Sequence, residues 1–194
     1  MTIAAVHPSD GILPFSTDEG YDEIKLIRET VAGNGRAFEA IVHTHHRRVY
    51  NFLYHMTRHC QDAEDLTQQT FIKAFQRLGS LDQTKPLLNW LVTIARNNAL
   101  NHFRDAKKWS ELPADTACSA PNPARYFEDK ERTASLWERA RTVLSQREFE
   151  VLWLRFAEEM SIRETAQVVG ITQTHVKVIV FRARRVLLNG APQL

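Results

Sequence analysis

Apolar residues recur at steps of three and four along most of this 194-residue chain, the spacing of helices that bury one face. The longest run is Phe38, Ile41, Val42, His45, Val49, Phe52, Leu53 and Met56. A shorter helix from Tyr21 to Ala32 precedes it and stops at the turn-forming triplet Gly33-Asn34-Gly35. Asp62 has the chemistry of an N-cap, with a carboxylate able to accept orphan backbone N–H groups, for a third helix reaching Arg77. On that helix Phe71, Phe75 and Leu78 are expected to face inward, while Asp62, Asp65 and Gln69 share the exposed face. Leu78 to Lys85 reads as a loop. Pro86 then marks a helix start, where a missing N–H has no consequence. That helix runs to about Asp105, with Leu88, Leu91, Ala95, Ala99 and Phe103 on its apolar side.

The pattern breaks twice. Residues 1–20 are polar and interrupted by Pro8, Gly11 and Pro14, and are expected to be disordered. Residues 110–127 carry three prolines and no periodic apolar face, the composition of a linker. Four shorter helices follow, two opening on capping boxes, Ser145-Gln146-Arg147-Glu148 and Ser161-Ile162-Arg163-Glu164. The second box starts a short helix to Val168, then Val169-Gly170-Ile171 turns the chain into a longer one from Thr172 to about Leu188. A short helix, a glycine turn and a basic helix make a helix-turn-helix. The expected fold is all-α: two small helical domains, 21–109 and 128–190, joined by a flexible linker, the second a helix-turn-helix.

At 100° per residue, Val176, Ile179, Val180, Ala183, Val186 and Leu187 of the last helix fall on one apolar arc. Lys177, Arg182, Arg184 and Arg185 stand opposite, joined by Val178 and Phe181, and the helix contains no carboxylate. Cations suit phosphates, and the two apolar side chains suit thymine methyl groups. Charge is distributed to match: residues 36–109 hold eleven basic against six acidic residues and 131–194 ten against seven. Residues 110–130 between them hold two against four. Two basic modules on an acidic tether fit a nucleic-acid partner.

Two cysteines, Cys60 and Cys118, are too few for a disulfide framework and argue for a reduced, cytoplasmic setting. No stretch has the length of a membrane span or the layout of a signal peptide, so no membrane insertion is expected. His43, His45, His46, His55, His59 and Cys60 crowd together, and His55 and His59 stand four apart as helical zinc ligands do. No glutamate lies between those two and no second cysteine is near, so neither a metal nor another cofactor is expected. No phosphate loop or nucleophile elbow is present, so the chain does not read as an enzyme.

The segment Asp62-Ala63-Glu64-Asp65-Leu66-Thr67-Gln68-Gln69-Thr70-Phe71, then Trp90-Leu91-Val92-Thr93-Ile94-Ala95-Arg96-Asn97, resembles the first domain of extracytoplasmic-function sigma factors of bacterial RNA polymerase. Glu148 to Leu187 resembles their second. The resemblance implies a factor that binds core polymerase and directs promoter recognition, melting and initiation. A stand-alone helix-turn-helix regulator is the alternative. It implies that Asp62, Asp65, Gln68 and Gln69 meet the clamp helices of the largest polymerase subunit. Capping would account for the first two as well. It further implies a pocket for a flipped minus-ten base from Asn97, Ser80 and Leu81. Trp90, Asn97, Asn101 and Arg104 form one strip on the Pro86 helix, where Trp90 is as compatible with stacking on a base as with the core. Thr174, Lys177, Val178, Phe181, Arg182, Arg184 and Arg185 become the minus-thirty-five contacts, and an anti-sigma factor becomes a further partner. The chain departs from the family pattern at Leu81, Asp82 and Asn101, and at Thr174, His175, Val178 and Ile179 in the helix-turn-helix.

Overall fold

A computed structural model describes residues 22–82, 84–109 and 131–189. The segments expected to form a disordered N-terminus and a linker lie outside these residues. Helices α1 (Glu23–Val31), α2 (Gly35–Thr57), α3 (Cys60–Arg77) and α4 (Leu87–Trp109) make the first bundle, with a 3₁₀ turn at Leu78–Ser80 between the last two. The second is made of α5 (Glu131–Val143), α6 (Gln146–Phe156), α7 (Ile162–Val169) and α8 (Gln173–Asn189). The described residues contain no strand.

The three-four spacing of α2 is the reason it buries Ile41, His45, Val49, Phe52 and Leu53 together. Ala63, Leu66 and Phe71 of α3 close on that face, with Leu87, Leu91, Val92 and Ala95 of α4. The Asn98 amide inside this core is satisfied. Asn98 donates to the Thr70 hydroxyl at 3.1 Å and accepts from Lys73, which pins α4 to α3. His45, buried on α2, brings Nε2 to 3.2 Å from Glu23 Oε1 of α1. The hydrogen bond to His45 is the main reason the Glu23 carboxyl lies below its ordinary value. In the second bundle Val151, Leu154, Ala166, Val169, Val176, Ile179 and Ala183 meet in the core.

Several expectations change. The N-cap of α3 is His59, whose Nδ1 accepts from the Asp62 N–H at 3.3 Å. The helix starts two residues before Asp62, so Asp62 sits in its first turn. Phe75 is 53% exposed and stacks edge-on against Phe38 at 4.9 Å, because Ala74 and Leu78 already fill the inward positions. Val186 is exposed as well, since Ala183 and Leu187 complete the inner face of α8. Leu81 is buried, folded back onto the core by the 3₁₀ turn. Cys60 is disulfide-bonded, where a reduced thiol was expected: two cysteines make no framework, yet they suffice for one cross-link. Cys118, the other cysteine of the chain, lies outside the described residues.

The bundles touch. Arg96 of α4, half-buried, pairs with the buried Glu150 of α6. Arg48 of α2 pairs with Glu158 at 2.8 Å, and Asn89 of α4 donates to Glu164 of α7 at 2.7 Å. His55 lies over Trp153, ring centres 3.6 Å apart.

Glu164 also completes the capping box with Ser161, whose hydroxyl and backbone N–H are the main reasons its carboxyl lies below the ordinary value. A lowered folded-state value stabilises the fold above the ordinary carboxylate range, and that contribution is lost as pH falls through it. Ser161→Ala should therefore cost about 0.5–2 kcal/mol near neutral pH. Thermal unfolding followed from pH 7 to pH 3 should show the variant losing less on acidification than the wild type. Parallel curves would mean that the box does not hold Glu164.

Candidate nucleic-acid interface

The exposed face of α8 follows from what anchors its other side. Val176, Ile179 and Ala183 are buried, which turns Thr174, Lys177, Val178, Phe181, Arg182, Arg184 and Arg185 to solvent. The Thr172 hydroxyl accepts from the His175 N–H at 3.2 Å and starts the helix. At the other end Arg139 of α5 donates to the Leu187 carbonyl at 2.7 Å, satisfying an acceptor that the helix cannot. Gly170, at φ 73°, makes the left-handed turn between α7 and α8 that a side chain would strain. Phe181, 69% exposed on a helix with no carboxylate, is an apolar group presented among cations. An apolar ring among cations is chemistry that suits a DNA major groove.

Helix α4 carries the second surface. Leu88, Leu91, Ala95 and Ala99 are buried, so Asn97, Asn101 and Arg104 are exposed along the strip, with Trp90 and Thr93 half-buried at its N-terminal end. Trp90 packs against the core and also borders a cavity of about 800 Å³. Ser80, Leu81, Asn89 and Thr93 line that cavity from the first bundle, and Arg163, Glu164 and Gln167 from α7. Ser80 and Leu81 thus lie beside Trp90, and Asn97 stands two turns further along α4. The loop before α4 is ordered by Asp82, whose carboxylate accepts from the Thr84 N–H at 3.1 Å and the Thr84 hydroxyl at 2.7 Å. Those bonds, with Lys85, hold its carboxyl below the usual value. The family departure at Asp82 therefore has a local structural use.

The exposed side of α3 carries Asp65, Gln68 and Gln69. Asp62 is partly covered, with His59 Nδ1 at 3.4 Å and His102 Nε2 of α4 at 3.3 Å. Gln69 shares an open groove with Asn101 and Arg104, so the acidic-amide face of α3 and the strip on α4 adjoin. Three of the crowded histidines serve separate purposes: His45 ties α1 to α2, His55 packs at a tilt against Trp153, and His59 caps α3. Among the described residues no group of three histidines, cysteines or acids could hold a metal ion.

Periodicity gives no hint that Arg48, Arg96, Glu150 and Glu158 lie at a junction between bundles. A charge on a helix's outer face looks solvent-facing until its partner is placed. Burial pushes the Glu150 carboxyl up, against the opposing pull of Arg96. An acid removed from water in this way marks a contact surface.

Residues 41–109 match Sigma-70 region 2 and residues 142–187 match Sigma-70, region 4. The ECF RNA polymerase sigma factor BldN of Streptomyces coelicolor is 30% identical over 184 residues, covering 92% of this chain and 69% of that one. The ECF RNA polymerase sigma factor SigM of Bacillus subtilis is 31% identical over 142 residues, covering 71% and 84%. Among solved structures, CnrH in complex with the cytosolic domain of CnrY superposes with a TM-score of 0.61 at 26% identity, covering 87% of this chain and 95% of that one. The sigma factor RpoE in complex with the anti-sigma factor NepR from Bartonella quintana shares the fold, with a TM-score of 0.65 at 22% identity, covering 78% and 94%. Among the described residues no helix is long and apolar enough to cross a membrane. Both regions in order, with relatives spanning most of the chain, exclude a stand-alone regulator: this chain belongs to the extracytoplasmic-function sigma factors, which direct RNA polymerase to promoters.

Proposed function

We propose that the chain divides its work among three faces. Asp62, Asp65, Gln68 and Gln69 of α3 engage the clamp helices of the largest polymerase subunit. Asn97, with Ser80, Leu81 and Trp90, receives a flipped minus-ten base while Asn101 and Arg104 hold the strand. Thr174, Lys177, Val178, Phe181, Arg182, Arg184 and Arg185 of α8 read the minus-thirty-five element. Domain limits of 21–109 and 128–190 belong to the same reading, as do a cytoplasmic setting and an anti-sigma partner. Relatives solved with CnrY and NepR support that last partner. Catalysis is left to the polymerase.

The observation that carries this reading is the α4 strip, a row of exposed amides and an arginine with a half-buried tryptophan at its end. An amide side chain offers a donor and an acceptor together, the pairing a base edge needs once it is out of the helix. Opening DNA costs about 1.4 kcal/mol per base-pair step. A stacked base returns about 1–3 kcal/mol. Capturing a few bases therefore suffices to hold a short melted region without chemical fuel.

Asn97→Ala should leave polymerase binding near wild type and lower open-complex formation by about 1–3 kcal/mol. The loss should be largest on the preferred minus-ten sequence. Run-off transcription across all four bases at each minus-ten position is the check. An equal loss on every base would make Asn97 a structural amide.

On α8, Lys177→Ala should weaken binding to every sequence and flatten the salt dependence by about one phosphate contact. Phe181→Ala should relax the preference at one thymine-containing position, because a ring distinguishes a methyl group and not a phosphate. Holoenzyme binding to a set of upstream-element variants at several salt concentrations separates the two. Uniform scaling by both substitutions would refute the division of labour.

A further inference from the structure

Among the described residues, the acids that reach across the junction, Glu150, Glu158 and Glu164, come from the second bundle, and the donors they meet across it come from the first. Glu150 and Glu158 have side chains 6% and 5% exposed, and each reaches across to an arginine, Arg96 and Arg48. Glu158 is held a second time by the Trp153 indole N–H at 3.2 Å, and its backbone carbonyl accepts from Arg48 at 3.3 Å. Glu164 adds the bond from Asn89. A carboxylate buried without its partner is strongly destabilising, so these faces fit one another specifically rather than any neighbour.

The position of the junction gives it a consequence. Asn89 and Arg96 stand on the same helix as the promoter-facing strip, and α7 faces Trp90 and Thr93 across the shared cavity. Helix α8 is packed directly on α7. Elements centred at minus ten and minus thirty-five lie about 25 base pairs apart, some 85 Å of duplex at about 3.4 Å per pair. Bundles in hydrogen-bonding contact cannot lay α4 on one element and α8 on the other.

We propose that Glu150, Glu158 and Glu164 form a latch that holds the free protein closed on Arg96, Arg48 and Asn89, and that the latch must open before both promoter elements are engaged. The need to open rests on the assignment of α4 and α8 to the two elements; the closed state itself does not. The test uses the full chain, with donor and acceptor dyes on non-natural amino acids at the exposed positions 39 and 188. Energy transfer in the free wild type should be high and uniform. Arg96→Glu and Glu150→Arg should each lower it, with helical content by circular dichroism retained. The double exchange R96E/E150R should restore it. Asn89→Asp, which sets a second carboxylate against Glu164 without touching either core, should lower transfer on its own. Wild-type transfer already low, folded single variants unchanged from wild type, or a double exchange no better than the singles would overturn the latch. Because no DNA is present, such a failure leaves the assignment of α4 and α8 standing. Transfer that stays high in a complete promoter complex would instead count against that assignment.

Discussion

The two bundles stand as they do because Glu150 and Glu158 are out of water and must be answered by charge. The buried apolar side chains of the two bundles run together as one continuous core, so the contact is apolar as well as charged. Arg96 and Arg48 supply what the carboxylates lose in hydration, and His55 packs at a tilt against Trp153, the residue that also donates to Glu158. Such a pairing adds little net stability compared with apolar packing, but it admits few alternatives. It therefore fixes where α7 lies against α4, and with it the wall shared by Trp90, Thr93, Arg163 and Gln167.

Within each bundle the same economy applies on a smaller scale. A helix that spends one face on the core has only the opposite face for recognition, and α4 and α8 use theirs differently. Amides line α4, which suits base edges that become available after melting. Cations with an exposed phenylalanine line α8, which suits an intact groove. Helix α3 gives its outer face to acids and glutamines, which repel phosphate and suit a basic protein surface. Three short helices thus present three chemistries, held in place by Asn98 between α3 and α4 and by the turn at Gly170 between α7 and α8.

Much of this was legible in the chain. Three-four periodicity located the helices, and the Ser161 and Ser145 capping boxes marked helix starts where they occur. The inward faces of α4 and most of α8 followed from a helical wheel. The misses have physical causes. Asp62 has the chemistry of a cap, but His59 stands where the backbone turns and accepts from the Asp62 N–H itself. Phe75 and Val186 are apolar and so look inward-facing, yet Ala74 and Leu78, and Ala183 and Leu187, already fill the inward positions. The burial of Leu81 depends on how the 3₁₀ turn folds back, which no local spacing encodes. The ion pairs between bundles link residues 54 and 110 positions apart in the chain, and no local pattern encodes such a partner.

The central claim is that polymerase and promoter use different helices of one chain, with polymerase required for selective promoter binding. Amide hydrogen exchange on the free protein, with core polymerase, and with polymerase plus promoter DNA tests it directly. Core polymerase should slow exchange in α3, and promoter DNA should then slow it in α4 and α8, with DNA alone at the same concentration doing neither. Protection of α8 by promoter DNA alone, with α3 unmoved by polymerase, would contradict the account.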